Sequence, residues 1–380
     1  MKMRAMPLVA LNAQLVAGDA SYRSAGIYAY IINLLRHLPA ALDAMQYLVL
    51  LGRHGQLPDQ TPLPVRRSRF STSRPVSRIL WEQLVLPGVL RRRKVDLLHL
   101  PAYVGPWVSA CPQVVNIHDL SFLHYPTLFR PANRLYLNTM TRATCRRAAA
   151  IITGSQAIAD EIKVHLGAPA ERVHVIPDGV AQRFQPLPHE QVEAFRSEYL
   201  LPERFILFMG TLEPRKNLVT LVRAFARLHD PHVHLVLAGG KGWYYEDLFA
   251  EVSRLELEAR VHFPGYVPAE QQTLWYNAAT AFAYVSHYEG FGLPVVEALA
   301  CGTPTLISQA GALCEVAQDS ALTVPAEDEA AIADGLHRLL TDAPMCAQLR
   351  QRGLARVAAF TWDATAARTA ALYRHVLQSN

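Results

Sequence analysis

Short apolar runs alternate along this chain with longer segments whose apolar residues recur at helical spacing. In the first half this pattern predicts strands over 8–12, 47–51, 97–100, 114–117, 151–153 and 173–176, with helices over 25–38, 77–92, 132–149 and 156–165. The second half restarts it, with strands over 205–209, 233–238, 261–263, 281–285 and 305–307. Apolar strands separated by amphipathic helices are the signature of a parallel sheet covered on both faces. Pro177-Asp178-Gly179 and the region of Pro186 and Pro188 interrupt the rhythm, and there the linker is expected. The predicted fold class is therefore α/β, with two Rossmann-like doubly wound domains, 1–182 and 183–362, facing across a cleft that favours ligand binding. An alanine-rich helix from Ala364 to about Val376 closes the chain.

Composition adds bounds. A chain of 380 residues is long for one core and suits two α/β domains. With 51% hydrophobic and 18% charged residues it is a folded globular sequence. No uninterrupted apolar run reaches the length of a membrane span, and Asn12 and Gln14 break the run that begins at Pro7, which reads as a buried strand before a signal peptide. The five cysteines are scattered without a Cys-x-x-Cys pair, as in reduced structural thiols of a cytoplasmic protein. Neither zinc-ligand spacing nor Asp-x-Asp is present, so neither a metal site nor another cofactor is expected. The net charge of +5 is bunched early, at Arg66, Arg67, Arg69, Arg74 and Arg78 and again at Arg91, Arg92, Arg93 and Lys94. Each group reads most simply as a solvated face. Together with Trp81 and nearby leucines they suit an anionic membrane surface, which would place the protein on the inner face of the membrane. No nucleic-acid-binding motif accompanies them.

The densest chemistry lies between Glu289 and Glu297. Gly290, Phe291, Gly292 and Leu293 follow a predicted buried strand, and Pro294 suits the first turn of a helix that Gly302 and Pro304 end. A strand-to-helix loop at the carboxyl edge of an open sheet is where such folds bind ligands. Two carboxylates flanking a row of backbone N–H donors suit a polyhydroxylated ligand, although an acid near a helix start also complements the dipole. Arg215 and Lys216, in the loop that Gly210 opens, place two cations at the same edge. Such a pair can grip phosphate oxygens or simply sit on the surface, with Glu213 pairing one of them. Gly239, in Gly239-Gly240-Lys241-Gly242, marks a further glycine loop that is equally a tight connection, and Gly26 opens a helix without the Gly-x-Gly-x-x-Gly of a dinucleotide site. His118 ends a strand beside Asp119, which either orients the imidazole or starts the next loop.

These stretches, in this order, resemble the retaining nucleotide-sugar-dependent glycosyltransferases of family four, of GT-B fold. Glu289 to Glu297 resembles their paired-glutamate signature, extended by Ala298-Leu299-Ala300-Cys301-Gly302-Thr303-Pro304. Gly210-Thr211-Leu212-Glu213-Pro214-Arg215-Lys216-Asn217-Leu218, Phe360-Thr361-Trp362 and Asn116-Ile117-His118-Asp119-Leu120-Ser121-Phe122 extend the likeness over nearly the whole chain, the first and the last of these together pointing to a mannosyltransferase-like subgroup of polysaccharide assembly. The resemblance implies an N-terminal acceptor domain over 1–182, a nucleotide-sugar domain over 183–362 and a helix over 363–380 packing back on the first. It implies that Arg215 and Lys216 meet the donor diphosphate, Glu289 the donor sugar, Glu297 the ribose, Tyr266 the base, and His118 a hydroxyl of the transferred hexose. Gly26, Gly210, Gly239 and the Gly290–Leu293 loop would lie against the donor. The implied reaction moves a hexosyl unit, mannosyl favoured, from a nucleotide diphosphate sugar to a glycan or lipid-linked acceptor, without metal. GDP-mannose is favoured over UDP-glucose. A GT-B sugar-nucleotide epimerase and a non-catalytic sugar-nucleotide-binding protein are the alternatives.

Overall fold

The computed structural model describes residues 6–16, 25–41, 45–57, 61 and 63–379. The chain divides into two compact units, one of residues 1–179 and 362–380, the other of residues 180–361.

The first unit is built on a seven-stranded sheet, with β1 (Leu8–Ala13), β2 (Gln46–Leu51), β3 (Val65–Arg67), β4 (Leu97–Leu100), β5 (Gln113–Asn116), β6 (Ala150–Thr153) and β7 (Val173–Val175). Their order is β3-β2-β1-β4-β5-β6-β7 and every pairing is parallel. The direction of winding reverses between β1 and β4, the topological switch point of such sheets. β3 escapes the sequence pattern because it is an edge strand of only three residues, two of them the basic Arg66 and Arg67. The predicted helix over 77–92 is three abutting helical segments, Pro75–Leu80, Trp81–Val85 and Leu86–Arg93, the middle one π-helical. Trp81 is 5% exposed, so it is a core residue and not the membrane contact expected of it. The exposed apolar side chains in this region are instead Phe70, Val76, Leu80 and Leu84.

Helix Trp362–Gln378 belongs to this unit. Trp362, Ala366, Ala370, Leu372, Tyr373 and Val376 join the core of β1 and helix Ala25–His37. The Tyr373 hydroxyl bonds the ring Nδ1 of buried His99, whose Nε2 meets Asn116 Oδ1 at 2.5 Å. Thr365 Oγ1 also donates to the Pro177 carbonyl at 2.7 Å, tying the helix to the segment where the chain leaves the unit.

The second unit carries β8 (Arg204–Met209), β9 (Val233–Ala238), β10 (Val261–Gly265), β11 (Ala281–Tyr284), β12 (Thr305–Ser308) and β13 (Leu322–Val324). The order β10-β9-β8-β11-β12-β13, again all parallel, puts the switch point between β8 and β11. β8, β9, β11 and β12 are buried almost throughout, which is why they read as unbroken apolar runs.

Candidate active site

The loops that follow β8 and β11 meet at the carboxyl edge of the second sheet, at its switch point. Asn217 binds them together. It adopts a left-handed backbone (φ 59°), and its Nδ2 donates to the carbonyls of Val285 at 3.1 Å and Ala326 at 2.6 Å. His287 N adds a bond to the Arg215 carbonyl at 3.0 Å. Gly239 sits so close behind Gly210 that a Cβ on it would fall 1.8 Å from the Gly210 carbonyl oxygen. No side chain fits there between the ends of β8 and β9.

This framework collects Arg215, Lys216 and Glu289. Lys216 Nζ donates to Glu289 Oε1 and to Tyr284 Oη, each at 2.6 Å. Arg215 Nη1 donates to Glu289 Oε2 at 3.1 Å and to the Tyr288 carbonyl at 2.7 Å, and Nη2 reaches Glu213 Oε1 at 2.9 Å. Glu213, Lys216 and Glu289 are all buried. Burial raises the Glu289 carboxyl, but Arg215 and then Lys216 outweigh it and hold the group down at about 2. Burial and the adjacent Arg215 press against the Lys216 ammonium, while Glu289 and Glu213 support it. The cluster is thus two fixed cations balanced by two fixed carboxylates.

Beyond it, Gly290 and Gly292 are buried. Gly292 caps helix Leu293–Ala300 with φ 98°, and a Cβ there would meet Leu313 Cδ2 at 2.5 Å. Phe291 turns its ring into the core. It is buried edge-on against Phe360, with centroids 5.6 Å apart, and Leu293 packs beside it. Glu297 is half-buried on the same helix, and Tyr276 Oη donates to its Oε2 at 2.8 Å. Burial raises its carboxyl to about 7 against the pull of Tyr276 and Arg183. Tyr266, just past β10, is exposed.

In the first unit, Gly26 lies exposed in the first turn of helix Ala25–His37, and Ser24 before it lies outside the described residues. His118 is half-buried just past β5, edge-on to Tyr30 at 5.0 Å. Its Nε2 lies 2.7 Å from the Pro101 carbonyl, which can only accept, so Nε2 carries the proton. Burial lowers the ring below its ordinary value. A neutral ring protonated at Nε2 leaves Nδ1 an acceptor, suited to a ligand hydroxyl. Asp119 starts the next loop: its Oδ1 accepts from Ser121 N at 3.0 Å and Ser121 Oγ at 2.7 Å.

The family described as "Glycosyl transferases group 1" matches residues 191–356, and "Glycosyltransferase Family 4" matches residues 25–183. The O-antigen chain mannosyltransferase B of Escherichia coli is 31% identical over 269 residues, 69% of this chain and 70% of that protein. The chain belongs to the group 1 glycosyltransferases. Another relative, the D-inositol 3-phosphate glycosyltransferase of Streptomyces bingchenggensis, is 29% identical over 95% of this chain and 86% of its own. In fold the glycosyltransferase is similar to sucrose-phosphate synthase of Thermosynechococcus elongatus, with TM-score 0.80 at 24% identity over 98% of this chain and 100% of that one. The two parallel α/β units are those of the GT-B class.

Two residues of the glycosyltransferase's site were not visible in its motifs. Tyr284 ends β11 and accepts from Lys216; Tyr276, on helix Ala269–Ala278, donates to Glu297. Tyr284 had one signal, a hydroxyl at the carboxyl end of an otherwise apolar strand. Tyr276 had none, since its contact is set by packing between helices.

Proposed function

We propose that this glycosyltransferase transfers a hexosyl unit, mannosyl before glucosyl, from a nucleotide diphosphate sugar to a glycan or lipid-linked acceptor, with retention and without metal. The observation that carries the reading is the buried Arg215–Glu289–Lys216 cluster at the switch point of the second sheet. Lys216 has three ammonium protons, and Tyr284 and Glu289 take two among the described residues, which leaves one for a diphosphate oxygen. Held rigidly in a site of low exposure, both cations stabilise charge that develops there with little reorganisation.

In the proposed step the bond from sugar C1 to the phosphate oxygen breaks and its electron pair stays on the nucleotide diphosphate. The acceptor hydroxyl oxygen bonds to C1 on the same face, and its proton passes to the departing phosphate oxygen. No protein nucleophile is used. Glu289 orients the cations and offers its remaining lone pairs to sugar hydroxyls, Glu297 accepts from the ribose, and His118 Nδ1 accepts from a hexose hydroxyl. The name of the E. coli relative supports mannose, and GDP-mannose is the first donor to test. Among the described residues no helix is long and apolar enough to cross a membrane. Val76, Leu80 and Leu84, exposed at every fourth residue beside exposed Arg74, support a peripheral contact with an anionic surface.

The test is nucleotide release from GDP-mannose, UDP-glucose and related donors with a glycan acceptor, with the product's anomeric configuration read by NMR and the assay repeated in EDTA. Retention and full activity in EDTA are expected. An inverted product, complete loss in EDTA restored by magnesium, or conversion of the donor sugar with no acceptor present would overturn the proposal.

A further inference from the structure

The carboxyl edge of the first sheet holds a pocket that the residues above do not use. The segments after β1, β2 and β3 form it, with a volume of about 560 Å³. That is room for a phosphorylated sugar and more than a single ion needs.

The pocket presents donors. Gln14, 5% exposed, accepts through Oε1 from Thr72 Oγ1 at 2.7 Å, and its buried Nε2 has no partner among the described residues. A buried N–H without an acceptor is costly and rare. The Gln14–Thr72 pair lies so close to Gly52 that a Cβ there would come within 2.7 Å of Thr72 Oγ1. Around this pair stand two guanidinium groups, Arg53 and Arg67, and the hydroxyls of Ser71 and Ser73. Arg67 Nη1 donates to the Gly55 carbonyl, which anchors its fork at the wall. None of the described lining residues is acidic.

An amide N–H, hydroxyls and two planar forks, with no opposing carboxylate among the described lining residues, match a phosphate, which guanidinium groups bind in two places at once. We propose that this pocket binds the phosphate group of the acceptor. The acceptor assignment rests on the transferase reading above; the phosphate site itself does not. One phosphate chemistry has two sources here, a soluble phosphorylated sugar or a membrane lipid. The lipid is within reach of the chain because the segment that lines the pocket with Ser71, Thr72 and Ser73 also carries exposed Phe70 and runs into the exposed Val76, Leu80 and Leu84.

The experiment uses the full chain without donor. Inorganic phosphate and a soluble hexose 1-phosphate are titrated by NMR or calorimetry, and flotation is measured with phosphatidylcholine vesicles with and without phosphatidic acid. The variants are Arg53→Glu, at an exposed position and with its fold checked by thermal melting, and Gln14→Glu, which sets a carboxylate against the ligand. Saturable binding in the native protein, weakened roughly tenfold or more in Arg53→Glu, supports the site, while nucleoside diphosphate binding stays unchanged in that variant. Loss confined to the soluble ligands assigns a sugar phosphate; loss confined to phosphatidic acid vesicles assigns a lipid. Absence of saturable binding in every arm, or equal binding by Arg53→Glu, overturns the proposal even if transferase activity is present. Absence of transfer from every nucleotide sugar tested, with phosphate binding intact, would instead overturn the transferase reading and leave the site standing.

Discussion

At the switch point of the second sheet, both oxygens of Glu289 meet a cation and Arg215 is bonded on two sides. At the carboxyl edge of the first sheet, polar groups are buried without partners among the described residues: Asn12 Oδ1 and Gln14 Nε2. Acids are treated differently as well. Glu289 is driven to about 2 by its cations, while burial lifts Glu82 and Asp178 each to about 7. One region is electrically complete before any ligand arrives. The other keeps buried polar groups with no partner among the described residues, beside acids that burial raises as it raises Glu297 in the second unit. Rigid charge suits an invariant step such as phosphate departure, and open valences suit the recognition of one acceptor.

The largest effect should come from breaking the complete region. Lys216→Ala leaves Glu289 buried with half its compensation, so it should lower stability by about 3–5 kcal/mol as well as abolish turnover. Chemical denaturation beside a donor-hydrolysis assay checks both. Native turnover in this variant would show that the cluster is only structural.

Next comes the division of labour between the glutamates. Glu297→Gln should weaken the free nucleoside diphosphate and the intact donor alike, by about tenfold to a hundredfold for one charged hydrogen bond. Glu289→Gln should spare the free nucleotide and reduce turnover. Calorimetry with both ligands decides it, and equal weakening of the bare nucleotide by both variants would erase the distinction.

A smaller effect tests the open region. Glu82 has a carboxyl raised above its ordinary 4.5 to about 7, chiefly by burial, with Arg78 and a 3.2 Å bond from Asn12 Nδ2 opposing. The protonated form is the one the fold favours, so its contribution is intact below about 4.5 and is lost as pH rises through 7. Glu82→Gln should therefore gain stability over the native protein at pH 8 relative to pH 5, on the order of 2 kcal/mol. Melting curves at the two pH values would show no such gain if the carboxyl is solvated.

The smallest effect is a pH slope. Since Glu297 is also raised to about 7, a ribose hydroxyl bound by its carboxylate should hold the nucleoside more tightly at pH 8 than at pH 6, by a few-fold, and Glu297→Gln should flatten that slope.

Much of this was legible in the chain. Strands buried on both faces announce themselves, and β8, β9, β11 and β12 did. The edge strands β3 and β13 did not, because three residues with one side open need no apolar run. The motif around Arg215 and Lys216 gave the cations and their place, and Glu213 was a foreseeable partner. That Glu289 would be bonded to both cations was not foreseeable, because it depends on the fold of two loops separated by more than seventy residues. Phe291 shows the opposite limit: its motif position was informative, yet its ring belongs to the core with Phe360. Trp81 erred the same way, an aromatic among arginines that proved to face inward.

The terminal helix has one more consequence. Tyr373 and Ala370 are wholly buried in the first unit, yet they are synthesised after the entire second unit. On the ribosome the second unit, continuous from 180 to 361, can therefore close its core while the first still waits for its last wall, reversing the usual N-terminal-first order. Until that helix emerges, His99 and the apolar floor beside it are open to solvent and to other chains. A polypeptide stalled near its end would thus carry one finished half and one adhesive half, and quality control would recognise it by the adhesive one.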